Sequence, residues 1–178
     1  INQGTAGAAD RDLRVFDIVV GEATVDYGGF STRHAEAGDG SNQADWLRMP
    51  HRLRLGGEER VALPVFPCDP EAMSVALAQP NPHGRVVKGV IGSAFQFNRE
   101  VDRLLWIRER YEAVSEDMES AFAGGTALGF NTPFLAVRII SDSDFYAPGV
   151  HPNAAEYCAR FVAAFVERLP ALNTQPRD

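Results

Sequence analysis

The chain has 178 residues, 45% of them hydrophobic and 23% charged, with a formal net charge of −7. That length supports one domain with a proper core. The acidic balance argues against nucleic acid or an anionic membrane as partner, because phosphates call for clustered Lys and Arg.

No apolar run approaches the roughly 20 residues that a membrane helix needs. The two cysteines, Cys68 and Cys158, form neither a metal spacing nor a disulfide framework, so a reducing, cytoplasmic compartment is the default. The opening residues, Ile1 to Ala8, read as the last step of a buried strand turning through the glycine loop Gly4-Thr5-Ala6-Gly7. A domain seldom begins in mid-strand, so the chain reads as the later part of something longer.

Phe16 to Val20 is a short apolar run that predicts a strand ending at Gly21. Residues 28–57 are loop-rich, with Gly38-Asp39-Gly40-Ser41-Asn42 as a breaker cluster. Asp69-Pro70 opens a helix to Ala78, an Asp cap followed by Pro at the first helical position. Val86 to Ile91 predicts the next strand, running into Gly92-Ser93. Arg99 to Arg110 is amphipathic, with Val101, Leu104, Leu105 and Ile107 inward.

Ala113-Val114 begins a short strand, and Met118 to Leu128 is a helix rich in Ala and Gly, suited to close packing on a sheet. Phe134 to Ile140 is apolar on both faces except at Arg138, as expected of a central strand. A last helix starts at Asn153 with Glu156 in a capping-box pattern and buries Tyr157, Phe161, Phe165 and Leu169. Residues 171–178 read as a frayed tail. Strands alternating with helices predict an α/β fold of three layers, α/β/α, around a mixed central sheet.

Two acidic features stand out. Asp117-Met118-Glu119 opens the small-residue helix, and Ser141-Asp142 follows the most apolar strand. Carboxylates are costly beside apolar runs, so at element ends they point to a site. In open α/β sheets ligands bind at the carboxyl ends of strands.

Gly4-Thr5-Ala6-Gly7, Asp17-Ile18-Val19-Val20, Gly92-Ser93-x-x-x-Phe97, Asp117-Met118-Glu119-Ser120-Ala121 and Arg138-x-Ile140-Ser141-Asp142 occur in that order. In this the chain resembles the purine nucleoside phosphorylase superfamily. It is most similar to the hydrolytic branch of methylthioadenosine/S-adenosylhomocysteine nucleosidases and related purine nucleosidases.

The resemblance implies a nucleoside phosphorylase-like fold that splits a purine N-glycosidic bond. Asp142 matches the acid that protonates N7 of the departing base, a role that needs a raised pKa; the plainer reading is a turn cap. Ser141 precedes it in the same motif. Glu119 matches the carboxylate that grips the ribose hydroxyls as positive charge develops, and Met118 the residue packed against the sugar. The plainer alternative is a first-turn acid and a core methionine.

That alternative is the one chosen for Asp117 and Glu116, which stay outside the catalytic set. Phe97 matches the aromatic that stacks on the purine, although Phe95 and Phe97 also suit a core. The stretch Ala94-Phe95-Gln96 departs from the family pattern and leaves the base preference open. Gln96 and the backbone near Phe97 and Asn98 would read the purine edge. Thr5, Ala6 and Gly7 would approach the substrate through backbone amides and a hydroxyl. With Asn2-Gln3 in place of the arginine that holds phosphate in phosphorylases, water is favoured as nucleophile.

Arg48, His51, Arg52 and Arg54 form a basic cluster of the kind that usually faces solvent, or that would bind a 5′-phosphate. The four histidines share no metal-ligand spacing, so neither metal nor cofactor is expected. The family's opening βαβ unit is not in this sequence. The expectation is an N-terminal companion chain that completes the fold, with the heterodimer forming a higher oligomer. A phosphorylase, or a non-catalytic nucleoside-binding or storage-type member, is the alternative to a hydrolase.

Overall fold

The computed structural model of the protein describes residues 1–55, 58–62 and 65–169. The chain opens with β1 (Asn2–Ala8) and β2 (Ile18–Asp26), then the short β3 (Phe30–Ser31) and β4 (Leu47–Arg48). A hairpin of β5 (His51–Leu55) and β6 (Glu58–Ala62) leads to β7 (Val65–Pro67) and helix α1 (Pro70–Leu77). The remaining elements are β8 (Val86–Ser93), α2 (Val101–Tyr111), β9 (Ala113–Asp117), α3 (Ser120–Gly129), β10 (Ala136–Asp142) and α4 (Ala154–Val166).

The main sheet has the order β10-β1-β9-β8-β2-β7, and β2 also pairs with β10, so β10, β1, β9, β8 and β2 close into a ring. Parallel pairs (β1 with β10, β8 with β2 and β9) mix with antiparallel ones (β1 with β9, β2 with β10 and β7). The fold is therefore the mixed α/β class expected from the sequence. The ring closure was not expected.

Every residue of β10 is buried, which explains why its apolar residues are not confined to one face. The larger core cluster gathers around β2 and β10 with Ala76 of α1 and Cys158, Phe161 and Phe165 of α4; a smaller one holds Val25, Tyr27, Ile107 and Tyr111. Helix α3 lies close because it is glycine-rich. A Cβ at Gly124 would stand 2.8 Å from Thr24 Oγ1, and one at Gly125 would stand 3.0 Å from the Phe66 ring. In α1, the Asp69 carboxylate accepts from the Glu71 and Ala72 amides at 3.1 and 2.9 Å, as the Asp-Pro signal predicts.

Several boundaries move. The strand expected at Phe16 starts at Ile18, since Phe16 adopts a left-handed backbone (φ 75°), and it runs past Gly21 to Asp26. β9 extends beyond Val114 to take in Ser115-Glu116-Asp117, so α3 starts at Ser120 instead of Met118. β10 begins at Ala136, two residues late, and ends on Ser141-Asp142, which belong to the strand and do not follow it.

The glycine loop at residues 4–7 is strand. Its glycines keep an extended backbone and lie against charged side chains: a Cβ at Gly4 would meet the Arg138 guanidinium at 3.5 Å, ordinary contact distance. On α2, Leu104 and Ile107 are buried but Val101 is exposed. The capping box of α4 does not form. Asn153 has a helical backbone and makes no side-chain cap, and its amide turns to His151 Nδ1 at 3.3 Å. The tail expected over 171–178 lies outside the described residues.

Candidate active site

The carboxyl ends of β1, β9 and β10 meet. β1 and β9 overlap only where Gly7 and Ala8 pair with Glu116 and Ser115, while Gly7 also pairs with Asp142 across β10. Over that junction lies an open cavity of about 170 Å³, lined by Thr5, Ala6, Gly7 and Gln96 and Phe97 of the β8–α2 loop. Glu116 to Glu119 and Ser141-Asp142 complete the lining.

Beneath the cavity is a saturated charge network. Asp117 is buried and accepts from Arg138 Nε at 2.6 Å, from Ser93 Oγ at 2.5 Å, and from the Glu119 and Ser120 amides at 3.0 Å each. The Ser120 hydroxyl donates to it as well. These amides are the free donors at the start of α3, so Asp117 fastens the helix to the sheet as it neutralises Arg138. Arg138 is 1% exposed and also donates to the Asn2 carbonyl at 3.1 Å and to the Asn2 side chain. Its far nitrogen lies 3.8 Å from Glu119, whose own side chain is 65% exposed and hangs into the mouth of the cavity.

Asp142 sits differently. It is buried, and the Ser141 hydroxyl donates to its Oδ1 at 2.6 Å. Burial pushes its pKa up and the charge of Asp144 adds to this, against the Ser141 hydrogen bond and the more distant Arg99. Glu116, also buried, accepts from Tyr27 Oη at 2.7 Å and Asn98 Nδ2 at 2.6 Å. Its pKa too is raised, first by burial and further by the charge of Asp142, while the Tyr27 and Asn98 bonds oppose the shift.

The structure thus brings Asp142, Glu119, Met118, Phe97, Ser141, Thr5, Ala6, Gly7 and Gln96 to one cavity. Asn98 stands behind it, reaching the wall through Glu116 and Tyr27. Phe97 is 61% exposed at the rim and Phe95 is 91% exposed, so neither is a core residue. The basic cluster disperses: Arg48 lies over the Tyr111 ring, His51 meets Asp26 at 2.8 Å, and Arg52 meets Glu59 at 2.9 Å.

Glu116, Tyr27 and the Asp117–Arg138 pair are what the sequence reading missed. Arg138 was the available signal, because a lone charge in an apolar central strand demands a buried acid partner. Among the described residues, no group of three or more His, Cys, Asp or Glu is arranged to hold a metal ion, and no helix is long and apolar enough to cross a membrane.

Comparison with known proteins agrees with this architecture. A 5′-methylthioadenosine/S-adenosylhomocysteine nucleosidase from Bacillus licheniformis is 29% identical over 143 residues, covering 80% of this chain and 55% of that relative. One from Haemophilus influenzae is 26% identical over 180 residues, covering 95% of this chain and 69% of the other. The chain therefore spans little more than half of the Bacillus protein. Among solved structures, a futalosine hydrolase mutant from Helicobacter pylori matches with a TM-score of 0.68 at 21% identity, over 94% of this chain and 67% of its own.

The Neisseria meningitidis 5′-methylthioadenosine/S-adenosylhomocysteine nucleosidase, in complex with methylthio-immucillin-A, matches with a TM-score of 0.67 at 24% identity, over 93% and 68%. At such identities these likenesses speak for the fold alone. Residues 1–168 match the model of the phosphorylase superfamily, and the chain belongs to that family.

Proposed function

We propose that the chain carries the base- and sugar-binding part of a purine nucleosidase, which hydrolyses the N-glycosidic bond of a methylthioadenosine/S-adenosylhomocysteine-like nucleoside to free base and a ribose moiety. The observation that carries this reading is that Asp142, with a raised pKa, shares one cavity with Glu119 at the carboxyl ends of three strands. Asp142 donates its proton to N7 as the C–N bond breaks, so the base leaves neutral. Glu119, braced by Arg138, accepts from the ribose hydroxyls and stabilises the positive charge growing on the sugar. Met118 packs against the ribose, Phe97 stacks on the base, and Ser141 orients the acid through its 2.6 Å hydrogen bond.

The cavity lining includes, among the described residues, no Lys or Arg to hold an inorganic phosphate, which supports water rather than phosphate as the acceptor of the ribosyl group. Among the described residues, Asn2 to Ala6 pair with β10 on one side only, which leaves an open strand edge for a companion chain to complete. The same reading has that heterodimer pair further, and native mass measurement tests it.

The decisive experiment incubates the protein, and its Asp142→Asn variant, with purine nucleosides with and without phosphate. The expected result is base release without phosphate, reduced about 10²–10⁴-fold in Asp142→Asn with nucleoside binding retained. Equal turnover in the variant, or release only with phosphate, overturns the assignment.

A further inference from the structure

The loop between β8 and α2 carries two aromatic rings that the core does not hold, yet one of them, Phe97, lines the cavity. An exposed ring stacks well on a ligand only where its backbone is already fixed. Two neighbouring side chains fix this one. Asn98 reaches Glu116 and the Tyr27 hydroxyl through hydrogen bonds of 2.6 and 2.8 Å. Arg99, next in the chain, reaches across to Asp144, with Nε and Nη2 each 3.4 Å from Oδ1.

Asp144 is a firm anchor, its side chain only 12% exposed. It lies in a turn closed by Ser143 and Ala147, whose backbones exchange hydrogen bonds of 3.0 and 2.7 Å. The guanidinium groups of Arg11 and Arg14 stand over the next two rings, Phe145 and Tyr146, at 5.5 and 4.2 Å, and tie the turn to the β1–β2 connection. The same turn leads from Asp142 to Val150, and both of these line the cavity. The Arg99–Asp144 pair therefore joins two chain segments that each supply part of the lining.

We propose that Arg99 and Asp144 are positioning residues, whose ion pair clasps the β8–α2 loop to the turn after β10 and so holds Phe97 in place to stack on the base that Asp142 protonates. The inference rests on the nucleosidase reading for the tasks of Phe97 and Asp142. Neither member of the pair lines the cavity, so both act through other residues. Their charges also reach Asp142 in opposite senses: Asp144 raises its pKa and Arg99 lowers it. The other ionisable groups around Asp142 are Glu116 on β9 and, in the same lining, Asp117 and Glu119, while β1 presents only Gly7.

Arg99→Gln, Asp144→Asn and the double variant, made in the full chain, test this and leave those groups untouched. An ion pair with one exposed partner is worth a small factor. Each single variant is expected to weaken adenine binding, read by calorimetry, and to raise KM for 5′-methylthioadenosine by about 2–5-fold. The double variant is no worse than either single one, because the same clasp is lost in all three. The alkaline limb of kcat separates positioning from plain scaffolding. It moves to lower pH in Asp144→Asn and to higher pH in Arg99→Gln, whereas a scaffold would move both alike. Should Asp144→Asn not fold, Arg99→Lys, which keeps the charge, holds the wild-type limb that Arg99→Gln shifts.

Adenine affinity unchanged in the single variants, or lowered additively in the double one, overturns the clasp, as do limbs that move the same way. Non-additive loss of adenine binding without cleavage by any form sinks the hydrolase reading and leaves the clasp. Cleavage with the wild-type KM in every variant does the reverse.

Discussion

Glu116 and Asp117 are neighbours on β9, yet they belong to opposite electrostatic regimes. Asp117 is tied to a buried guanidinium and to the first amides of α3, so every lone pair has a donor. Glu116 and Asp142, across Gly7, have hydroxyl and amide donors but no cation in hydrogen-bond contact, and both pKa values are raised. A buried acid with a cation holds architecture, whereas a buried acid without one binds its proton more tightly than usual. The same sheet end contains both kinds a few ångströms apart.

Removing the cation attacks the first regime. Arg138→Met leaves Asp117 buried and uncompensated, and the expected loss of unfolding free energy is about 3–5 kcal/mol, read from denaturant midpoints. A loss near zero would mean that the pair is not the anchor described here. Next in size is the response to pH. The folded pKa values of Asp142 and Glu116 lie above their ordinary values of 3.8 and 4.5, so the folded state binds more protons than the unfolded one.

Their contribution to stability is therefore complete below the ordinary carboxyl range and fades as pH rises through the raised values. Asp17 runs the other way. Burial pushes it up, but its bonds to Arg85 and Arg14 outweigh this and lower its pKa, so its contribution disappears as pH falls. Melting curves against pH for Asp142→Asn combined with Glu116→Gln should lose the first trend and keep the second.

The smallest effect belongs to Ser141→Ala. The Ser141 hydrogen bond holds the Asp142 pKa down, so its removal raises that value and moves the alkaline limb of activity to higher pH. The associated stability change is about 1 kcal/mol. An unmoved limb would separate Asp142 from the proton-transfer step.

The order of elements was legible because apolar runs and their punctuation are local. The Asp69-Pro70 cap and the inward Leu104 and Ile107 follow from residue spacing alone. β1 was misread because glycine usually marks a loop, whereas Gly4 and Gly7 are strand residues that pack against Arg138 and against Asp142 and Glu116. Those partners are more than a hundred residues away, and no window of sequence contains both. Asp142 and Glu119 were singled out through motif order, and both line the cavity. Glu116 was passed over because an acid next to a helix start has a sufficient local explanation, and its distinguishing contact, Tyr27, lies 89 residues earlier.

The position of β10 has a consequence for how the molecule is made. This strand joins β1 on one flank and β2 on the other, so it is the stave that shuts the barrel. Both seams link segments more than a hundred residues apart, and such long-range closures are slow. Asp142 travels on that last stave. During synthesis the cavity therefore lacks Asp142 until the ring has closed around it, so on the proposed nucleosidase reading activity emerges with that closure and not ahead of it.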